Sequence, residues 1–277
     1  MAQRARGGLA VVALALAAVL ALAACDGTPS SQAAQGSPTT VSPSTAAPTT
    51  AAPTTAAPTT AAPTTTVPPT TKPKKPAGPP QLRSGSEGRA VEALQRRLAE
   101  LGYQVHDADG QFGSETHHAV VAFQKVNRLA RDGVVGPATR KALDRPRVPS
   151  PRSREAGFHV EADLTLQVVY LVKDGEIQEV LDASSGSGQS YTVHGDVRVA
   201  VTPLGSFQIQ RKIDAWRKSD LGLLYRPAYF TGGYALHGAP SVPAFPASHG
   251  CIRITTVAMD RLFDRLPVGT PMLVYRS

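Results

Sequence analysis

Ser248-His-Gly-Cys-Ile-Arg253 and, upstream of it, Tyr234-Ala-Leu-His-Gly238 are the stretches on which the reading of the C-terminal half turns. Cys251 is one of two cysteines in 277 residues, the other being Cys25. A free cysteine that serves only packing sits among apolar neighbours. Here Gly250 precedes the thiol, His249 lies two residues before it and Arg253 two after, so the setting is polar and backbone-permissive. Nearby positive charge and exposed amides favour thiolate over thiol, which suits a nucleophile. A base must then come from another segment, and His237, closing an apolar run and followed by Gly238, is the candidate.

Outward from these stretches the sequence reads as β-rich. Phe158-His-Val-Glu-Ala-Asp163 and Thr165-Leu-Gln-Val-Val-Tyr-Leu-Val172 carry strand patterns, Asp174-Gly175 is a hairpin signal, and Ile177 to Ala183 returns. Further β-type runs occupy Thr202 to Ile209 and Tyr234 to His237. Only Thr255 to Leu266 reads as helical here, with Val257, Leu262, Phe263 and Leu266 on one side and Pro267 as the stop. The expectation is a mostly-β domain with one packed helix and a thiol between a loop and that helix.

The paired elements His237-Gly238 and Ser248-His-Gly-Cys251, together with Thr202-Pro-Leu-Gly-Ser-Phe207 and Gly269-Thr-Pro-Met-Leu-Val274, resemble the L,D-transpeptidases, the YkuD-like family, over a domain spanning 155–277. The resemblance implies attack by Cys251 on the carbonyl between the third residue of a peptidoglycan stem and its terminal D-Ala. His237 would take the thiol proton and return it to the departing amine. Backbone N–H groups around His249, Gly250 and Cys251 would hold the oxyanion, while His249 and Arg253 shape and polarise the pocket. Ser248 either orients His237 or serves only the turn. An amine of a second stem as acceptor gives a cross-link, and water gives carboxypeptidase activity. No cofactor and no metal is implied, and the partners are stem peptides as donor and acceptor. The loop Gly238 to Ala247 is shorter than is usual for the family and holds Pro240, Pro243 and Pro246. Asp182, Ser185, Tyr191 and Trp216 stay unassigned between groove, surface and core.

Before this domain lies a segment with helical periodicity, 82–145. Ser86 is expected to cap a helix in which Val91, Leu94, Leu98 and Leu101 recur at three- and four-residue spacing, with Gly102 ending it. Asp109-Gly-Gln-Phe-Gly-Ser-Glu-Thr116 and Asp132-Gly-Val-Val-Gly-Pro-Ala-Thr139 are two copies of one pattern, each a turn feeding a helix start, with Ser114 as cap in one and Pro137 at the first helical position in the other. Ala119, Val120, Phe123, Val126 and Leu129 form a second stripe, off which His117 and His118 fall and so read as surface residues. With Gln95, Gln124 and Leu101-Gly-Tyr103, these motifs resemble the three-helix peptidoglycan-binding domain. The overall fold class expected is therefore multidomain, a small all-α binding domain followed by the mostly-β catalytic domain.

The first 25 residues place Arg4 and Arg6 before an uncharged apolar run that ends Leu22-Ala23-Ala24-Cys25, which reads as an export signal. A cysteine directly after the small pair resembles the lipobox of bacterial lipoproteins, which implies a lipid on Cys25 and attachment to the cell membrane. Residues 26–80 hold 13 prolines, 15 threonines and no aromatic residue, a composition expected to be disordered. Proline recurs every fifth residue from 38 to 68, and at about 3.1 Å per residue such an extended tether reaches roughly 170 Å. From Gln81 onward 24 basic and 20 acidic residues remain, too small an imbalance to indicate nucleic acid. The expected location is extracytoplasmic, reaching into the cell wall. Two other readings compete. His237, His249 and Cys251 supply a ligand set for a zinc peptidase, although no H-E-x-x-H or paired-Cys spacing is present. A non-catalytic lipoprotein bridging membrane and wall is the other.

Overall fold

The computed structural model describes residues 80–277; the expected signal peptide, Cys25 and nearly all of the tether lie outside the described residues. The helical part comprises α1 (Arg89–Glu100), α2 (Ser114–Val126) and α3 (Pro137–Asp144). Ser86 and Ser114 do not cap as the sequence suggested. The N-cap positions are Gly88 and Gly113, and Ser86 Oγ instead accepts from Arg83 N–H, closing the turn before α1. Gly102 does end α1: at φ 79° it lets its own N–H reach Ala99 O and that of Tyr103 reach Leu98 O, the paired bonds of a Schellman motif. The duplicated pattern has a physical cause. Gln95 Nε2 donates to Asp109 Oδ1, Gln111 O and Thr116 Oγ1 while its Oε1 accepts from Gly110 N–H. Gln124 repeats these contacts on Asp132, Val134, Thr139 and Gly133. Each Asp-Gly turn is thus clasped by one buried amide from the preceding helix. Leu82 and Val135 exchange backbone hydrogen bonds and close the helical part where the chain enters it.

The β part contains β1 (Phe158–Asp163), β2 (Val168–Lys173), β3 (Glu176–Asp182), β4 (Ser190–Val193), β5 (Asp196–Val199), β6 (Gly205–Gln208), β7 (Arg211–Lys212), β8 (Trp216–Ser219), β9 (Gly222–Thr231), β10 (Tyr234–Ala239), β11 (Ile252–Thr255) and β12 (Pro271–Tyr275), with α4 (Thr256–Phe263) between the last two. One five-stranded sheet runs β3-β2-β1-β12-β6; a second runs β11-β10-β9-β7, with β8 also on β9; β4 and β5 form a separate hairpin. β1 pairs parallel with β12 and β10 parallel with β11. Val160, Leu171 and Leu181 of the first sheet, Phe230, Leu236, Ile252 and Ile254 of the second, and Met259 and Leu262 of α4 share one core. Asp174 and Gly175 turn β2 into β3 with φ 52° and 77°, the doubly positive geometry of a type I′ hairpin. Thr165 to Gln167 do not extend β2 backward. Asp163 Oδ1 accepts from the N–H groups of Thr165 and Leu166, winding these residues into a turn. Val257 points outward, and the inner face of α4 is Ala258, Met259, Leu262 and Phe263.

β2 reads as an unbroken apolar run because both of its faces are covered. Val169 and Leu171 face the sheet core, whereas Val168, Tyr170 and Val172 join Val180 of β3 and Leu98, Tyr103 and Phe123 of the helical part in a second core. Gly102 O accepts from Val180 N–H at 2.8 Å, so the segment after α1 covers the outer edge of β3. α2 is consequently buried nearly all round, and not along one stripe: Val121, Ala122 and Lys125 are as covered as Val120 and Phe123. His117 and His118 are half-buried, more covered than the surface reading expected. His118 Nδ1 lies 2.7 Å from Asp182 Oδ2, and the His117 ring packs onto Gly133.

Candidate active site

In paired strands successive side chains alternate faces. Leu236, Ile252 and Ile254 enter the core, so His237 of β10, Cys251 at the mouth of β11 and Arg253 of β11 share the opposite face. His237 and Arg253 are register partners across the two parallel strands. The sequence reading had the thiol entering a helix. It enters a strand instead, because Ile252-Arg-Ile-Thr255 is a short alternating run whose isoleucines are buried, and α4 begins only after it, with Thr255 Oγ1 accepting from Ala258 N–H.

A cleft of about 330 Å³ is lined by His237, Ser248, His249, Cys251 and Arg253, with Tyr191 and Tyr234 on its walls and Leu224 and Tyr229 of β9 beneath. The candidate residues therefore converge, but not all in the expected roles. Ser248 does not orient His237. Its Oγ accepts from Gly250 N–H at 3.0 Å and donates to Cys251 O, so it ties the turn on either side of the thiol. Gly250 N–H is thereby occupied and is not a donor for an oxyanion. Gly250 has φ 130°, and a Cβ there would lie 2.5 Å from the Tyr234 ring and 2.9 Å from Val201 O, so no other residue fits. Thr202 Oγ1 donates to Gly250 O at 2.7 Å and accepts from Gly186 N–H at 2.9 Å.

His237 is 4% exposed, and its Nδ1 lies 2.8 Å from Gly238 O. A carbonyl only accepts, so Nδ1 carries the hydrogen and Nε2 is left as the basic nitrogen. Burial lowers the imidazole pKa from 6.5 to about 4; the Gly238 bond opposes this and Arg253 adds to it. Burial likewise pushes the Cys251 thiol up, against the Ala235 N–H and Arg253, which favour thiolate. Desolvation thus outweighs the nearby positive charge that the sequence reading took to favour thiolate, and the proton is left for His237 to take. The resting pair is a neutral thiol and a neutral imidazole. Cys251 Sγ also approaches Gly233 O at 3.8 Å.

Among the unassigned residues, Tyr191 belongs to the cleft: its ring meets His249 edge-on at 4.8 Å from the β4–β5 hairpin. Trp216 packs on Tyr225, Ser185 is buried under the nucleophile loop, and Asp182 is buried against α2. No group of three or more His, Cys, Asp or Glu side chains is gathered to hold a metal ion among the described residues, and His237, His249 and Cys251 form no such group.

Two packed sheets, a thiol and an imidazole facing one cleft, and a helical domain sealed onto one flank define the class of protein. Residues 157–274 match the family described as L,D-transpeptidase catalytic domain, and residues 87–143 match that described as "Putative peptidoglycan binding domain". The chain is similar to a crystallised L,D-transpeptidase from Xylanimonas cellulosilytica, at 46% identity and a TM-score of 0.70, over 73% of this chain and 100% of that one. The chain belongs to the L,D-transpeptidase family. Its similarity to curated proteins is shorter: 32% identity over 108 residues to an N-acetylmuramoyl-L-alanine amidase of Bacillus licheniformis, and 50% over 62 residues to a zinc D-Ala-D-Ala carboxypeptidase of Streptomyces albus G. These alignments cover 37% and 21% of this chain and span only 30% and 24% of those relatives.

Proposed function

We propose that the protein is a peptidoglycan L,D-transpeptidase in which Cys251 forms a thioester with the third residue of a tetrapeptide stem, releases D-Ala and passes the acyl group to an amine of a second stem. The observation that carries the reading is the shared face of β10 and β11, on which His237 and Cys251 open into one cleft with Nε2 as the free imidazole nitrogen. In this reading Nε2 takes the thiol proton as the sulfur attacks and returns it to the departing amine, which cannot leave as an anion. Starting from neutral partners suits this order, since the proton moves only when a carbonyl is there to be attacked. With Gly250 N–H held by Ser248, the N–H groups of His249 and Cys251 are the donors for the oxyanion. Arg253 lends the developing charges a positive field, and His249 with Tyr191 forms the wall that orients the stem.

Export as a lipoprotein follows from the residues before Gln81: Cys25 carries the lipid, residues 26–80 span outward, and the domains at 82–145 and 155–277 work in the cell wall. The helical domain holds wall polymer near the cleft. The test uses the full chain with muropeptide tetrapeptides and, separately, with a carbapenem-type β-lactam, read by mass spectrometry. D-Ala release with a cross-linked product and a drug adduct on Cys251, all lost in Cys251→Ala, are the expected results. D-Ala release without a cross-link identifies water as the acceptor. A chain that does neither, and takes no adduct, is a wall tether and not an enzyme.

A further inference from the structure

Between α2 and the catalytic sheet sits a cation that simple packing does not require. Lys125 is fully buried, and an ammonium has three hydrogens to place and nothing to accept with. All three are placed: Nζ donates to Asp182 Oδ1 at 2.5 Å, to Ala183 O at 2.8 Å and to Gln167 O at 2.9 Å. Two of these acceptors are backbone carbonyls of the catalytic domain. Apolar side chains of similar volume commonly replace a buried ion pair without loss of stability, so holding two domains together does not call for this group. What apolar side chains cannot do is fix two separate carbonyls at one point.

From that point the hydrogen bonds lead to the nucleophile. The side chain of Gln167 holds Ser185 twice, through Oε1 to Ser185 N–H at 2.8 Å and through Nε2 to Ser185 Oγ at 2.7 Å. Ser184 exchanges both backbone hydrogen bonds with Arg253 at 2.9 Å. Ser185 O accepts from Ala247 and Ser248 N–H, and Ser187 N–H donates to Ser248 O, each at 2.9 Å. Ser248, three residues before Cys251, and Arg253, two after it, are thus both fastened to the segment that Lys125 anchors at Ala183.

We propose that Lys125 is a positioning residue for Cys251, so that the helical domain is a built-in support of the active-site loop as well as a wall-binding module. This rests on the reading of Cys251 as the nucleophile. A shift of about 1 Å in a reacting group costs on the order of a hundredfold in rate, so loss of the anchor should be visible in catalysis. The test compares full-length wild type, Lys125→Met and Asp182→Asn at a temperature where circular dichroism shows each folded. Lys125→Met is expected to slow Cys251 acylation and kcat for D-Ala release by about tenfold or more while KM stays within about twofold. Asp182→Asn keeps an acceptor oxygen and both carbonyl contacts, and is expected to stay within about threefold of wild type in both rates. A folded Lys125→Met with wild-type acylation and kcat overturns the proposal. Should that variant not fold, native-state amide exchange of the wild type decides: the amides of Ser184, Ser185, Ala247 and Ser248 should open together with those of α2. Exchange there roughly a hundredfold faster than in α2 overturns it. A wild-type chain without a Cys251 adduct overturns the transpeptidase reading instead, and the exchange measurement still reports whether helix and loop are coupled.

Discussion

Burying an imidazole in a neutral state has consequences on two axes of pH. His237 titrates near 6.5 in the unfolded chain and at about 4 in the folded one. Between those values the unfolded chain binds a proton that the native state refuses, so stability rises with pH across that window. The contribution, on the order of 3 kcal/mol, is complete above about pH 6.5 and is gone below about pH 4. Urea unfolding at pH 7 and pH 5 checks it, with lower stability expected at the acidic value. Catalysis is expected to respond later. Acylation of Cys251 should hold its neutral-pH rate down to about pH 5 and then fall by about tenfold per pH step below 4, as Nε2 takes its proton from solvent. A fall already centred near 6.5 would mean that the imidazole is solvated and that the buried pair described above is not the working one.

At the scale of elements, α4 depends on the residue that ends β11. Thr255 has extended backbone and its Oγ1 accepts from Ala258 N–H at 3.1 Å, which satisfies one of the orphan donors of the first turn. Thr255→Ala is expected to lower stability by about 1 kcal/mol, measured by denaturant unfolding, while leaving the acylation rate at its wild-type value. This junction also shows what sequence could and could not tell. Ile252 to Thr255 is only one strand's width of alternating residues lying against a stronger helical pattern, so the helix was legible and the strand that delivers Cys251 was not. The Asp174-Gly175 hairpin and the stop at Gly102 were readable, since each rests on local chemistry. The caps at Ser86 and Ser114 were misread because glycines at 88 and 113 take the N-cap positions, with backbone geometry in place of a side-chain acceptor. Lys125 was invisible for another reason: it looks like the polar face of a helix, and the tertiary partners that make its burial tolerable, Asp182 and the carbonyls of Gln167 and Ala183, lie 42 to 58 residues away.

For the whole molecule, the second core ties the two domains into one thermodynamic unit. Val168, Tyr170, Val172 and Val180 lose their cover if the helical domain is removed. At roughly 1.5–3 kcal/mol per large apolar side chain, exposing all four costs about 6–12 kcal/mol, as much as a typical domain's entire stability. A fragment of residues 155–277 is therefore expected to be unfolded or aggregated by circular dichroism and gel filtration. A monodisperse fragment that melts cooperatively would show instead that the sheet domain stands alone. Legibility ended at this scale too. Each domain was readable by itself, whereas the seam requires knowing that the alternate residues of β2 face a helix and not water.

The clasp between Leu82 and Val135 bears on how the molecule carries load. Residues 1–79 precede it, so any tension delivered along them reaches the fold at Pro80, whose O accepts from the Arg140 side chain, and then at Leu82. Only two backbone hydrogen bonds meet that pull, one of 2.8 Å and one of 3.4 Å. The ladders joining β1 to β2 and to β12 lie further along the path and contain many more. Under force the entrance should peel open while the cleft stays intact, making it a mechanical fuse that yields before the machinery behind it.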